Sequence, residues 1–110
     1  MKKIHLKTFG KILMGREEGR NSYHVFKEKL SDIPSDEKVF CDFTDVMVMA
    51  PSFCDEVFGE IEVESPGRLV IDKEVNLAIK KAFETVEQTR KIKFEFDDYD
   101  SASGNFKNKP

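Results

Sequence analysis

Tryptophan is missing from this chain, tyrosine occurs twice, and cysteine and histidine occur twice each. Cys41 and Cys54 match no zinc-ligand spacing, and His5 and His24 lie far from them, so no metal site is expected. Two such thiols read as buried free cysteines of a reducing compartment. No apolar run approaches the roughly 20 residues that a membrane span needs. The opening Met1-Lys2-Lys3-Ile4-His5-Leu6-Lys7 alternates apolar and polar residues and lacks the apolar block of a signal peptide, so a cytoplasmic protein is expected. A basic surplus is also missing. The 18 Lys and Arg stand against 21 Asp and Glu, a net charge of −3, which gives no electrostatic footprint for nucleic acid. There is neither an internal repeat nor a linker.

The chain does have ten phenylalanines and 39% hydrophobic residues, enough for a core, with 35% charged residues to solvate the surface. At 110 residues it is one domain. Ile4, Leu6 and Thr8 alternate, Gly10 interrupts, and Lys11 to Met14 resumes, which predicts two short strands or one bent hairpin. Arg16 to Leu30 places Tyr23, Phe26 and Leu30 on one helical face. Pro34 ends any helix before the turn cluster Ser31 to Asp36. Val39 to Phe43 is a short apolar run, as in a central strand covered on both faces. A helix over about Pro51 to Ile61 carries Phe53, Val57 and Ile61 at four-residue spacing. Arg68 to Asp72 reads as a second buried strand. Glu74 to Arg90 is a helix with Val75, Ile79, Ala82, Phe83 and Val86 in one stripe, and Ile92, Phe94 and Phe96 alternate as a last strand.

This order predicts an α/β sandwich: three helices on a mixed sheet of about five strands, with a mostly parallel centre and an antiparallel strand from the N-terminal hairpin. Residues 1–97 form the domain and 98–110 a flexible C-terminal tail.

Chemistry concentrates where Asp42-Phe43-Thr44-Asp45 ends one strand and Pro51-Ser52 opens the next helix. Free N–H groups and the positive end of a helix dipole meet a hydroxyl there. Ser52 reads as a phosphoacceptor or as a helix cap contributing about 1 kcal/mol. Asp55 and Glu56 read as a partner-facing acidic patch or as first-turn dipole complements. Thr44 and Asp45 hold the turn by side-chain to backbone bonds. Arg16 and Arg20, one turn apart at a helix start, suggest a partner or an internal carboxylate, or else read as a solvated pair near Glu17 and Glu18.

The same residues carry a likeness. Asp42-Phe43-Thr44-Asp45-Val46 followed by Ser52-Phe53-Cys54-Asp55-Glu56, with Gly15-Arg16 before the first helix, resembles the STAS fold of sulfate transporter and anti-sigma factor antagonist domains, closest to bacterial STAS-like domains of unknown function. In the antagonists a serine at this corner is phosphorylated by a partner kinase, and that position falls on Ser52. Ala50, Pro51 and Phe53 depart from the Asp, Ser and Gly expected around it.

The resemblance implies a regulatory domain of partner-switching type that acts with a histidine-kinase-like ATPase. It uses no cofactor, metal or catalytic residue, and its contact residues are Thr44, Asp45, Ser52, Asp55, Glu56 and Gly59. Two other readings use the same region: a small-molecule or nucleotide module with an anion site at the helix start, and a metal-dependent phosphohydrolase built on Asp42, Asp45 and Asp72.

Overall fold

The computed structural model describes residues 2–100 and 105–106. Strand β1 (Lys2–His5) leads through a 3-10 turn (Leu6–Phe9) to β2 (Ile12–Leu13) and helix α1 (Arg16–Ser31). Then follow β3 (Val39–Asp42), β4 (Val48–Met49) and a continuous helix α2, built of Pro51–Cys54, a π turn Asp55–Gly59, and Glu60–Glu64. Strand β5 (Leu69–Asp72), helix α3 (Leu77–Arg90) and strand β6 (Glu95–Asp97) complete the repeating pattern. The main sheet has the order β1-β3-β5-β6 with every pairing parallel. As expected, Val39, Phe40 and Cys41 pair in parallel with Leu69, Val70 and Ile71.

Each strand is joined to its immediate neighbour by a crossover that contains a helix. Such crossovers are right-handed, so three in one direction place all three helices on one face. The side chains sort accordingly. Ile4, Cys41, Ile71 and Phe96 form one row across the sheet. That row packs with Phe26, Phe58, Ile79 and Phe83 from the helices. Lys3, Phe40, Val70 and Glu95 form the adjacent row on the other face. There Phe40 and Val70 make a small separate cluster with Tyr99. Phe83 is the hub of the core, with its ring 5.0–5.7 Å from those of Phe43, Phe58, Phe94 and Phe96.

The structure corrects four details of the sequence reading. No N-terminal hairpin forms. The 3-10 turn and Gly10 (φ 132°) carry the chain away from β1, which lies parallel to β3, while β2 pairs in parallel with β4 as a separate two-stranded sheet. The main sheet is therefore wholly parallel rather than mixed. Helix α3 starts at Leu77, not Glu74, because Asn76 caps it: its side-chain oxygen accepts from the Ile79 N–H at 2.9 Å. Helices cover only one face of the central strand, and Tyr99 closes part of the other.

The expected tail lies partly outside the described residues. Within them, Tyr99–Asp100 pairs antiparallel with Asn105–Phe106 as β7 and β8, and the Tyr99 ring stands 5.2 Å from Phe40.

Candidate functional site

The corner after β3 begins with a side-chain turn. The Asp42 carboxylate accepts from the Thr44 N–H at 2.9 Å and from its hydroxyl at 2.7 Å. Asp42, not Asp45, thus holds this turn. Asp45 instead adopts a left-handed conformation (φ 69°), which Asp tolerates better than most residues, and its carboxylate lies 3.8 Å from Lys7. Val46 then turns into the core, and the chain runs up β4 beside β2. The Met47 N–H donates to the Lys11 carbonyl and the Ala50 N–H to that of Leu13, both at 2.8 Å. From the other side, the Asn76 amide donates to the Met47 carbonyl at 3.0 Å.

Alternation along these two short strands splits their side chains. Leu13 and Met49 point inward and are buried. Ile12 (61% exposed) and its partner Val48 (38%) point outward, and Met14 (54%) and Met47 (62%), just beyond the strand ends, are also exposed. Outward positions of a solvated ribbon are normally polar, and here both strands present apolar groups side by side. Leu77, next to Asn76, is exposed as well. Single exposed apolar residues are ordinary, but a contiguous patch marks an interaction surface. The sequence reading treated Met47-Val48-Met49 as a connection and missed this patch. Its signal was the apolar run itself, flanked by Asp45 and Pro51.

The helix that follows is not capped by Ser52. Ala50 is the N-cap and has no side-chain acceptor, and Ser52 lies at the second helical position, half-buried. The capping role read for Ser52 is therefore corrected. Ser52 remains in the first turn, where the Cys54 N–H donates to the Ala50 carbonyl at 3.1 Å.

Asp55, Glu56 and Gly59 form no free partner-facing surface. Asp55 accepts from Arg90 Nε at 2.6 Å and from Arg16 at 2.9 Å, while Glu56 lies 3.1 Å from Arg16 and 3.6 Å from Arg20. Arg90 also reaches Glu60 at 3.0 Å. The hydrogen bond from Arg90 holds the Asp55 carboxyl below its ordinary value, with burial opposing and Arg16 assisting. The second reading of Arg16 and Arg20, an internal carboxylate, is the arrangement found. Gly59 is buried under Arg90, and a Cβ there would lie 2.8 Å from its Nε. Gly19 performs the same service between α1 and α2, where a Cβ would lie 2.8 Å from the Cβ of Glu56. This network sits on the π turn of α2 and ties all three helices together. Arg90 had no signal in the sequence, because nothing in a helical stripe reveals what a helix-terminal arginine reaches.

Carboxylates also gather at the C-terminal ends of the parallel strands, on the open face. Asp42, Asp72 and Asp98 line a cleft of about 250 Å³ with Lys3, Thr44, Glu74, Phe40 and Tyr99. His5 Nδ1 lies 3.1 Å from Asp42. Burial pushes Asp42 up, but the Thr44 hydroxyl and amide, with His5 and Lys3, more than reverse it and leave the carboxyl below its ordinary value. Asp72 goes the other way, raised by burial and by the charges of Asp42 and Asp98 despite the Glu74 N–H. Asp45 points instead to Lys7, so the trio Asp42, Asp45 and Asp72 does not converge. No group of three metal-ligating side chains is assembled among the described residues.

No protein-family model, curated protein or solved structure matches this chain. No described helix is long and apolar enough to cross a membrane.

Proposed function

We propose that this domain is a protein-binding regulator of partner-switching type that docks through the strand-to-helix corner. The observation that carries the reading is the apolar ribbon before Ser52: Ile12 and Val48 exposed side by side on paired strands, with exposed Met14 and Met47 just beyond the strand ends. Methionine suits such a surface because its unbranched, polarizable side chain repacks against different partners. The docking residues are then Thr44, Asp45 and Ser52, with the ribbon, whereas Asp55, Glu56 and Gly59 act from within by fixing the helix that presents the corner.

The resemblance of the Asp42 to Val46 and Ser52 to Glu56 stretches to STAS-like domains supports a histidine-kinase-like ATPase as the partner. Phosphorylation of Ser52 would add about −1.5 to −2 charges at the first turn of α2. The helix dipole favours that charge, and the charge would change what the partner meets.

The test is capture from the native host on the immobilised chain, beside Met47→Asp and Ser52→Asp variants. A kinase-like ATPase held by the wild type and lost from Met47→Asp supports the proposal. Retention of no ATPase, or equal retention by all three proteins, overturns it.

A further inference from the structure

The margin of the apolar ribbon is basic, against the net negative charge of the chain. Lys11 adjoins Ile12, and its carbonyl accepts from both Met47 and Val48 N–H groups. Lys80 and Lys81 are exposed one turn beyond Leu77, which opens the first turn of α3. That turn is held to the ribbon by the Asn76 to Met47 hydrogen bond. Among the described residues, Lys3, Lys7, Lys27 and Lys38 form salt bridges, whereas no salt bridge involves Lys11, Lys80 or Lys81. Of the nearby acids, the exposed Glu84 follows Lys80 and Lys81 by one turn on the same stripe and leaves two lysines against one acid there. Asp45 faces Lys7, and Glu74 lines the cleft on the open face. Glu17 and Glu18 lie past Met14, in the first turn of α1 with Arg16.

We infer that the occupant of this ribbon is a segment of a partner protein with an apolar stripe flanked by Asp or Glu. The inference rests on the protein-binding reading and adds the chemistry of what binds. Apolar contact with Ile12, Met47, Val48 and Leu77 supplies the affinity. Unpaired lysines at the rim steer and select an acidic segment, because opposite charges across a rim raise the association rate and like charges are rejected. A second copy of this chain fits poorly, since a symmetric pairing of ribbons would bring the two lysine margins against each other.

The experiment is selection of a displayed library of random 12-residue peptides on the intact domain. The selected peptides are then titrated against Met47→Ser, Ile12→Ser and the charge-reversal pair Lys11→Glu with Lys80→Glu. These side chains are solvent-exposed, and circular dichroism and thermal melting verify that each variant is folded. The expected result is enrichment of peptides that combine Leu, Phe or Met with Asp and Glu. Each serine variant should weaken binding about tenfold or more, as loss of a central apolar contact does. The charge reversal should weaken it too, with the wild-type affinity falling as salt rises.

Enrichment of basic peptides, or of peptides indifferent to Met47 and Ile12, overturns the inference and leaves the protein-binding reading standing. Acidic apolar peptides from a chain that captures no ATPase overturn the proposed partner instead. Sedimentation of the free protein as a dimer that Met47→Ser dissociates would assign the ribbon to a second copy and also overturn the inference.

Discussion

Arg90, the last residue of α3, reaches across to the π turn of α2 and donates from Nε to the Asp55 carboxylate at 2.6 Å. Arg16, from the first turn of α1, approaches the same carboxylate at 2.9 Å. One acidic side chain thus joins three helices that no hydrophobic stripe alone would align in rotation. The π turn over Asp55–Gly59 is placed where that contact is made, and such bulges recur where a helix must present a side chain off its regular face.

Asp55→Asn is expected to lower stability by about 1–3 kcal/mol at neutral pH, the range for a lost hydrogen bond to a charged group. The pH dependence has a definite sign. The folded carboxyl lies below its ordinary value, so its contribution is fully present above the unfolded value near 4 and disappears as pH falls through the folded one. Urea titrations of both proteins should differ at pH 7 and draw together as the pH falls below about 4. A constant gap would show that Asp55 acts through shape rather than charge.

Gly59→Ala and Gly19→Ala should each destabilise the fold by about 1–3 kcal/mol, the usual cost of forcing a methyl group into packed space. The two differ in what gives way. At Gly19 the neighbours include the Cα of Phe53, which cannot move without the helix, whereas at Gly59 only the Arg90 side chain is displaced. Double-mutant cycles should therefore couple Gly59→Ala strongly to Asp55→Asn and Gly19→Ala weakly. Additive effects at Gly59 would count against the Arg90 contact.

Glu62 gives a pH effect of the opposite sense. Its Oε2 accepts from the Gly67 N–H at 2.7 Å, while its Oε1 is buried without a partner. Burial raises the carboxyl, Gly67 opposes the shift, and the nearby charges of Glu95 and Lys38 pull in opposite directions. The ionised form is therefore a cost at neutral pH, relieved as pH falls through the raised folded value and gone below the unfolded one. Relative to Glu62→Gln, the wild type should gain stability between about pH 7 and pH 4, where the unfolded carboxyl titrates. A flat difference in melting temperature over that window would refute the assignment.

Tyr99 tests the C-terminal segment. The sequence reading makes 98–110 a flexible tail, yet the Tyr99 ring packs on Phe40 and lies 4.5 Å from the Lys3 ammonium. Tyr99→Ala should cost about 0.5–1.5 kcal/mol, the worth of an aromatic pair. In a domain of this size that is a shift of several degrees. Calorimetry of Tyr99→Ala checks it, and an unchanged transition would return the segment to the status of a tail.

What the sequence alone determined is local and periodic. Val39 to Asp42 and Leu69 to Asp72 are strands because their runs are apolar, short and bounded by turns. Arg16 to Ser31 is a helix because Tyr23, Phe26 and Leu30 share a face. The parallel pairing of β3 with β5 follows from the helix between them and the fixed hand of crossovers. The corner at Asp42 to Ser52 was legible because its residue types are unusual for a plain connection.

Tertiary structure decided the rest, because those facts depend on residues distant in sequence. β1 and β2 could pair with each other or with later strands, and only the packing of Leu6, Leu13 and Met49 into one core separates them. Asp55 and Glu56 read equally well as surface acids until Arg16, Arg20 and Arg90 arrive from two other helices. Ser52 looked like a cap until Ala50 took that position. The apolar ribbon became visible only when β2 and β4 lay side by side, because exposure is a property of what covers a side chain and not of the side chain itself.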